Sequence, residues 1–163
     1  MKIFTTSDWH IGNIFHGNDR LDEHKHFFNW LLDRIKEYQP DALLVAGDVF
    51  DNGNPSNAAQ AAYYNFLAQA HSLAPEMHII ITAGNHDSPS RLESPRELLT
   101  IMNMQIRGNV KRNWIINENN TSKKIINYDD LIIPICNQNN EEAIILAVPY
   151  LRNDSLQGSN YSE

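Results

Sequence analysis

Residues 2–6 (KIFTT), 42–46 (ALLVA) and 77–82 (MHIIIT) form short apolar runs, each bounded by polar or turn-forming residues, and each reads as a strand. Between the first two, Phe27, Leu31, Ile35 and Tyr38 recur at helical spacing, with Phe28 and Leu32 widening the apolar face. This pattern predicts an amphipathic helix over 22–38, stopped by Pro40 and Asp41. A second helix is predicted over about 57–72 and a third over about 91–103. Strands that are nearly continuous hydrophobics, separated by helices of this length, indicate parallel βαβ units whose sheet is covered on both faces, an α/β layer architecture.

After residue 104 the pattern changes. Short β-like segments at 114–116, 123–127, 131–135 and 143–148 follow one another without a helix between them, so a second, more antiparallel sheet is expected. The Asn-rich stretches "NENNTSKK" and "CNQNNEE" read as surface turns, and no internal repeat or domain linker is visible.

Composition adds little to this picture but excludes some classes. The 163 residues, 42% hydrophobic and 20% charged, suit one ordinary globular domain, and no apolar run approaches the ~20 residues that cross a bilayer. The start "MKIFTTSDWH" has neither the apolar core of a signal peptide nor the Arg-rich character of a transit peptide, so a cytoplasmic protein is expected. A net charge of −7 argues against a surface that coats nucleic acid, although bound cations could locally offset carboxylates and leave DNA admissible as a substrate. The single cysteine, Cys136, lies in an apolar run and is expected to be a small buried thiol.

The three early strands end alike. KIFTT runs into Ser7-Asp8-Trp9-His10, ALLVA into Gly47-Asp48-Val49-Phe50-Asp51, and the third strand into Gly84-Asn85-His86-Asp87. In an open parallel sheet all carboxyl ends share one edge, where ligands bind, so residues some 40 positions apart can converge. Asp8 and His10, two apart, would project from the same side of an extended segment. Hard oxygen ligands mixed with imidazole suit manganese, iron or zinc better than calcium. Glycines before Asp48 and Asn85 permit sharp turns and close approach. Any one of these pieces is ordinary turn chemistry; the ordered set of three points to a divalent-metal site.

Asp-Xaa-His, Gly-Asp-Xaa-Xaa-Asp and Gly-Asn-His-Asp resemble the first three motifs of the calcineurin-like metallophosphoesterases. The longer strings "TSDWHIG", "VAGDVFDNG", "AGNHDSP" and "AVPYLR" are similar to the D-subunit family of the bacterial SbcCD nucleases, and the resemblance runs from residue 1 to about 152. It implies an αββα layered sandwich with a two-metal site. Asp8 and His10 would hold one ion, Asp48 would bridge both, and Asn85 would bind the second, with Mn2+ the expected metal and Mg2+, Fe or Zn2+ alternatives. His86 would donate a proton or hydrogen bond to the phosphate or leaving oxygen, oriented by Asp51. DNA would be the substrate of an exonuclease and endonuclease used in repair and recombination, with an SbcC-like coiled-coil ATPase as partner and a homodimer as the assembly.

Two departures qualify the resemblance. Asn52 stands where the family's protein Ser/Thr phosphatases carry a phosphate-gripping Arg, which disfavours that branch. No histidine follows His86, whereas the family's later motifs, a Gly-His-Xaa-His among them, complete both metal shells. Four ligands would then serve two ions, and the chain closes in the polar tail "LRNDSLQGSNYSE". Residues 1–163 are therefore expected to be the amino-terminal part of a longer nuclease domain, its sandwich incomplete and its activity weak alone. A small-substrate phosphodiesterase or nucleotidase, and a catalytically incomplete partner-binding module, are the competing readings. Of the remaining histidines, His24, His26 and His71 fall on helices as surface or interface residues, His78 is expected to be buried, and His16 alone is placed near substrate.

Overall fold

A computed structural model of the chain describes residues 1–116 and 122–152. Its elements run in the order β1 (Ile3–Thr6), β2 (Ile14–Phe15), β3 (Asn18–Asp19), α1 (Leu21–Tyr38), β4 (Ala42–Ala46), α2 (Asn57–Leu73) and β5 (His78–Thr82). There follow α3 (Pro89–Glu93), α4 (Arg96–Thr100), β6 (Met104–Arg107), β7 (Arg112–Ile116), β8 (Ser122–Ile126), a 3-10 turn (Tyr128–Leu131), β9 (Ile132–Cys136) and β10 (Glu142–Leu146).

Strands β1, β4, β5 and β6 form one parallel sheet in that spatial order. Each crossover joins neighbours in the same direction, and right-handed crossovers of that kind place their helices on one face. Leu43, Val45, Ile79 and Ile81 point to that face and are buried with Phe28, Leu31 and Ile35 of α1 and Tyr63, Phe66 and Leu67 of α2. Ala42 and Ile80 point the other way, onto Ile133, Ile135 and Ala147. The antiparallel pair β9–β10 thus covers the second face, giving three of the four expected layers among the described residues. No helix among them is long and apolar enough to cross a membrane.

The helix ends are set locally. Asp19 Oδ1 accepts from the Leu21 amide at the start of α1, and Ser56 Oγ accepts from Ala59 at the start of α2. Gln39, at φ 43°, closes α1 in the left-handed conformation that ends many helices.

Several expectations are corrected. The third helix is two short ones, because Pro95 cannot donate a backbone hydrogen bond and Ser94-Pro95 forms a turn. Residues 104–107 are a fourth parallel strand, signalled by the alternating Met104 and Ile106, both wholly buried. In place of one second sheet the described residues after β6 form two separate ladders, β7–β8 and β9–β10. Cys136 is exposed, since β9 alternates and turns Ile133 and Ile135 inward but Ile132, Pro134 and Cys136 outward. His78 is only half-buried, its Nε2 facing the Cys136 carbonyl. The tail from 153 and most of the Asn-rich turn before β8 lie outside the described residues.

Candidate metal centre

Strands β1, β4 and β5 are neighbours in register, Thr6 opposite Val45 and Ala46 opposite Thr82, so the three polar loops emerge side by side. The first loop is not extended. Asp8 and His10 have φ of 54° and 46°, and Asp48 has φ of 47°, all left-handed and all unfavourable for residues with a Cβ. Backbone bonds hold this geometry: Asp8 N to Gly47 O (3.1 Å), His10 N to Asp48 O (2.9 Å) and Ile11 N to Val49 O (3.0 Å). Asp8 and His10 still line one cavity, by backbone twist rather than by strand alternation.

Between them Trp9 is driven into the core. Its ring lies edge-on to Phe28 (5.1 Å) and Phe66 (5.3 Å), and Nε1 donates to Thr6 Oγ1. A large aromatic packed edge-on against these rings and that of Phe27, with a satisfied N–H, is a firm root, so the polar residues beside it inherit fixed positions.

The second and third loops are tied by Asp87. This carboxylate is 2% exposed and accepts from the amides of Val49 (3.1 Å), Phe50 (2.9 Å) and Gly84 (2.8 Å). A buried carboxylate is tolerable because its oxygens are occupied by donors. The His86 amide in turn donates to Asp48 Oδ1 (2.9 Å). The loops approach so closely that a Cβ on Gly84 would overlap the Asp48 backbone and carboxylate, which is why glycine stands there.

His10, Asp48 and His86 bring one potential ligand atom each within 4.8 Å of one another. His10 Nε2 lies 3.9 Å from Asp48 Oδ2, and the His10 and His86 rings meet edge-on at 4.8 Å. His10 Nδ1 is buried without a hydrogen-bond partner and sits 3.5 Å from Asp51 Oδ1. An orphaned imidazole nitrogen among carboxylates fits a divalent cation of the borderline class. Asp8 and Asp51 line the same cavity of about 630 Å³, while Asn85 is exposed on the adjoining loop.

His86 Nδ1 is 2.8 Å from an oxygen of Asp51, and that oxygen is the backbone carbonyl rather than the carboxylate. A carbonyl accepts, so Nδ1 carries a proton, and in the neutral ring Nε2 is the unprotonated nitrogen. This bond, opposed by desolvation and helped by the charges of Asp48, Asp51 and Asp87, raises the His86 pKa above its ordinary value. The Asp51 carboxylate instead accepts from Asn13 Nδ2 (2.7 Å).

Three contributors lie outside the set expected from the motifs. Asp87 stands within the third motif, which assigns it no role. His24, expected at the surface, lines the cavity and contacts the Trp9 carbonyl. Arg152 Nη2 donates to the carbonyls of Asn85 and Asp87, each at 3.0 Å, bracing the loop that carries His86. A helix after a parallel strand starts at the carboxyl edge, so the polar first turn of α1 is the signal that points to His24. His16, expected near substrate, is exposed and does not line the cavity.

A family model described as calcineurin-like phosphoesterase matches residues 1–147. The chain is similar to the D-subunit of the SbcCD nuclease of Rhodobacter capsulatus, 37% identical over 159 residues, which is 97% of this chain and 37% of that protein. It is also similar to the SbcCD nuclease D-subunit of Escherichia coli K12, 39% identical over 106 residues, 65% of this chain and 26% of that protein. A third relative, the corresponding D-subunit of Bacillus subtilis, is 39% identical over 98 residues, 60% of this chain and 25% of that protein. The chain therefore spans between a quarter and somewhat over a third of the curated relatives it matches.

Asp87→Asn puts an NH2 against amide donors and removes a buried charge-assisted acceptor, at a cost of about 2–4 kcal/mol. Thermal unfolding followed by circular dichroism is expected to show a Tm lower by roughly 5–15 °C; an unchanged Tm would contradict the role given to Asp87. In metal-free protein, His86 is expected to titrate above the ordinary imidazole value of about 6.5. The Asp51 carbonyl bond then favours the folded state fully below that value, and this preference fades as pH rises through the raised midpoint. An NMR titration with a His86 midpoint at or below 6.5 would contradict the assignment.

Proposed function

The chain belongs to the calcineurin-like phosphoesterase family, and from that premise we propose that it is the amino-terminal part of a metal-dependent nuclease that hydrolyses DNA phosphodiester bonds. The observation that carries this reading is the meeting of His10, Asp48 and His86 at the edge shared by β1, β4 and β5.

Asp8, His10, Asp48 and Asn85 are the proposed ligands, with Mn2+ the proposed metal. Asp48 follows the middle strand of the three and contacts both His10 and the His86 amide, which supports its proposed role as a shared ligand. Bound divalent cations would supply Lewis acidity toward the phosphate and an activated water at neutral pH. His86 is kept outside the ligand set: the Asp51 carbonyl holds Nδ1, and Nε2 is free to donate toward a phosphate or leaving oxygen. Donation from Nε2 needs the doubly protonated ring, because Nδ1 already carries the proton given to the Asp51 carbonyl.

The motif resemblance, with the similarity to the SbcCD nuclease D-subunits, extends the proposal to a DNA substrate, an SbcC-like ATPase partner, a homodimer and a cytoplasmic location. Because only part of those relatives' length is covered, further ligands are proposed to lie in the remainder of a longer chain.

Mn2+ titration followed by electron paramagnetic resonance is expected to show one weakly held ion on residues 1–163. Nuclease assays on linear and hairpin DNA are expected to find little cleavage by this segment and clear Mn2+-dependent cleavage by a longer form. Full activity in the short chain would overturn the divided site. Turnover of a small phosphodiester without DNA cleavage by either form would select the phosphodiesterase reading instead.

A further inference from the structure

His24 occupies the first turn of α1, and its Nε2 lies 2.8 Å from the Trp9 carbonyl oxygen. A carbonyl only accepts, so Nε2 carries the proton and donates. The other ring nitrogen, Nδ1, is buried without a hydrogen-bond partner. The hydrogen bonding of this side chain is thus directed at one peptide group. That peptide joins Trp9 to His10, between two residues proposed as metal ligands.

The flanking backbone needs support. Asp8 and His10 both stand in the left-handed region, which residues with a Cβ leave unless their surroundings hold them there. The amides of Asp8 and His10 are held from the β4 side by Gly47 and Asp48, and the Trp9 ring is held by the core. The Trp9 carbonyl faces the opposite element, and His24 holds it there. The first turn of α1 is itself anchored, since the Arg20 amide donates to the Asn13 carbonyl (3.1 Å) and Asp19 accepts from Leu21. A rigid helix therefore reaches the one backbone oxygen that sets the tilt of the Trp9–His10 peptide, and with it the aim of the His10 ring.

We propose that His24 is a positioning residue for the metal centre: by donating Nε2–H to the Trp9 carbonyl it holds the Asp8-Trp9-His10 loop in its strained, ligand-ready form. The proposal rests on the metal-site reading above, and it concerns a hydrogen bond rather than a charge. Partners that orient ligands from outside the coordination sphere typically change metal affinity by ~10- to 100-fold when removed.

The test uses the full chain with His24→Leu, which fills the space without a donor, and His24→Gln, whose side-chain amide can still donate. Mn2+ affinity is measured by calorimetry, and 15N relaxation of the Asp8, Trp9 and His10 amides is measured on metal-free protein. His24→Leu is expected to weaken Mn2+ binding about tenfold and to mobilise those amides. His24→Gln is expected to restore both, with all three proteins melting alike. Wild-type affinity in His24→Leu would overturn the proposal, as would equal weakening in both variants. If the unmutated chain bound no Mn2+, the metal-site reading would fall, and the relaxation data would still decide the brace: unchanged amide motion in His24→Leu would refute it. The imidazole 15N spectrum of unmutated protein is expected to show the Nε2–H tautomer, and a proton on Nδ1 instead would also overturn the assignment.

Discussion

Asp87 accepts from Val49, Phe50 and Gly84 through a carboxylate that water barely reaches, and those bonds fix the distance between the loops leaving β4 and β5. Such bonds are strong where the dielectric is low and no water competes. With that spacing set, Asp48 can sit in the left-handed conformation, take the His86 amide on Oδ1, and lie against Gly84 with no room for a Cβ. A residue that would touch no substrate therefore holds the geometry of two loops that would.

Core packing serves the same end on the other side. Trp9, rooted between Phe28 and Phe66, joins the helix layer to the loop carrying Asp8 and His10. The spatial order β1-β4-β5 then sets the three loops next to one another. Stability and site geometry are coupled here, because displacing Trp9 would disturb helix packing and ligand aim together.

The layers are legible in the sequence because their signal is periodicity. The apolar runs mark β1, β4 and β5, and the Phe27-to-Tyr38 spacing marks α1, each to within a few residues. The strand-end motifs point to Asp8, His10, Asp48, Asp51, Asn85 and His86; the structure brings His10, Asp48 and His86 together and lines one cavity with Asp8, His10, Asp51 and His86, leaving Asn85 exposed on the adjoining loop. What the sequence conceals are interactions whose partner is backbone. Asp87 binds amides, His24 and Arg152 bind carbonyls, and Asp51 orients His86 through its carbonyl, a group every residue has. No residue type announces such contacts, since they depend on how loops approach after folding. The exposure of Cys136 is hidden for a different reason: an apolar run does not reveal its own alternation phase until a partner strand sets it.

Three strand-end loops, spaced by Asp87 and rooted by Trp9, are proposed to form one metal-binding site, and the most direct test is an anomalous difference map from crystals of the chain soaked in Mn2+. The predicted result is a peak within coordination distance of Asp8, His10 and Asp48, with the Asp87 bonds to Val49, Phe50 and Gly84 intact. Ordered loops with no peak at that edge, or a peak held by other residues, would contradict it.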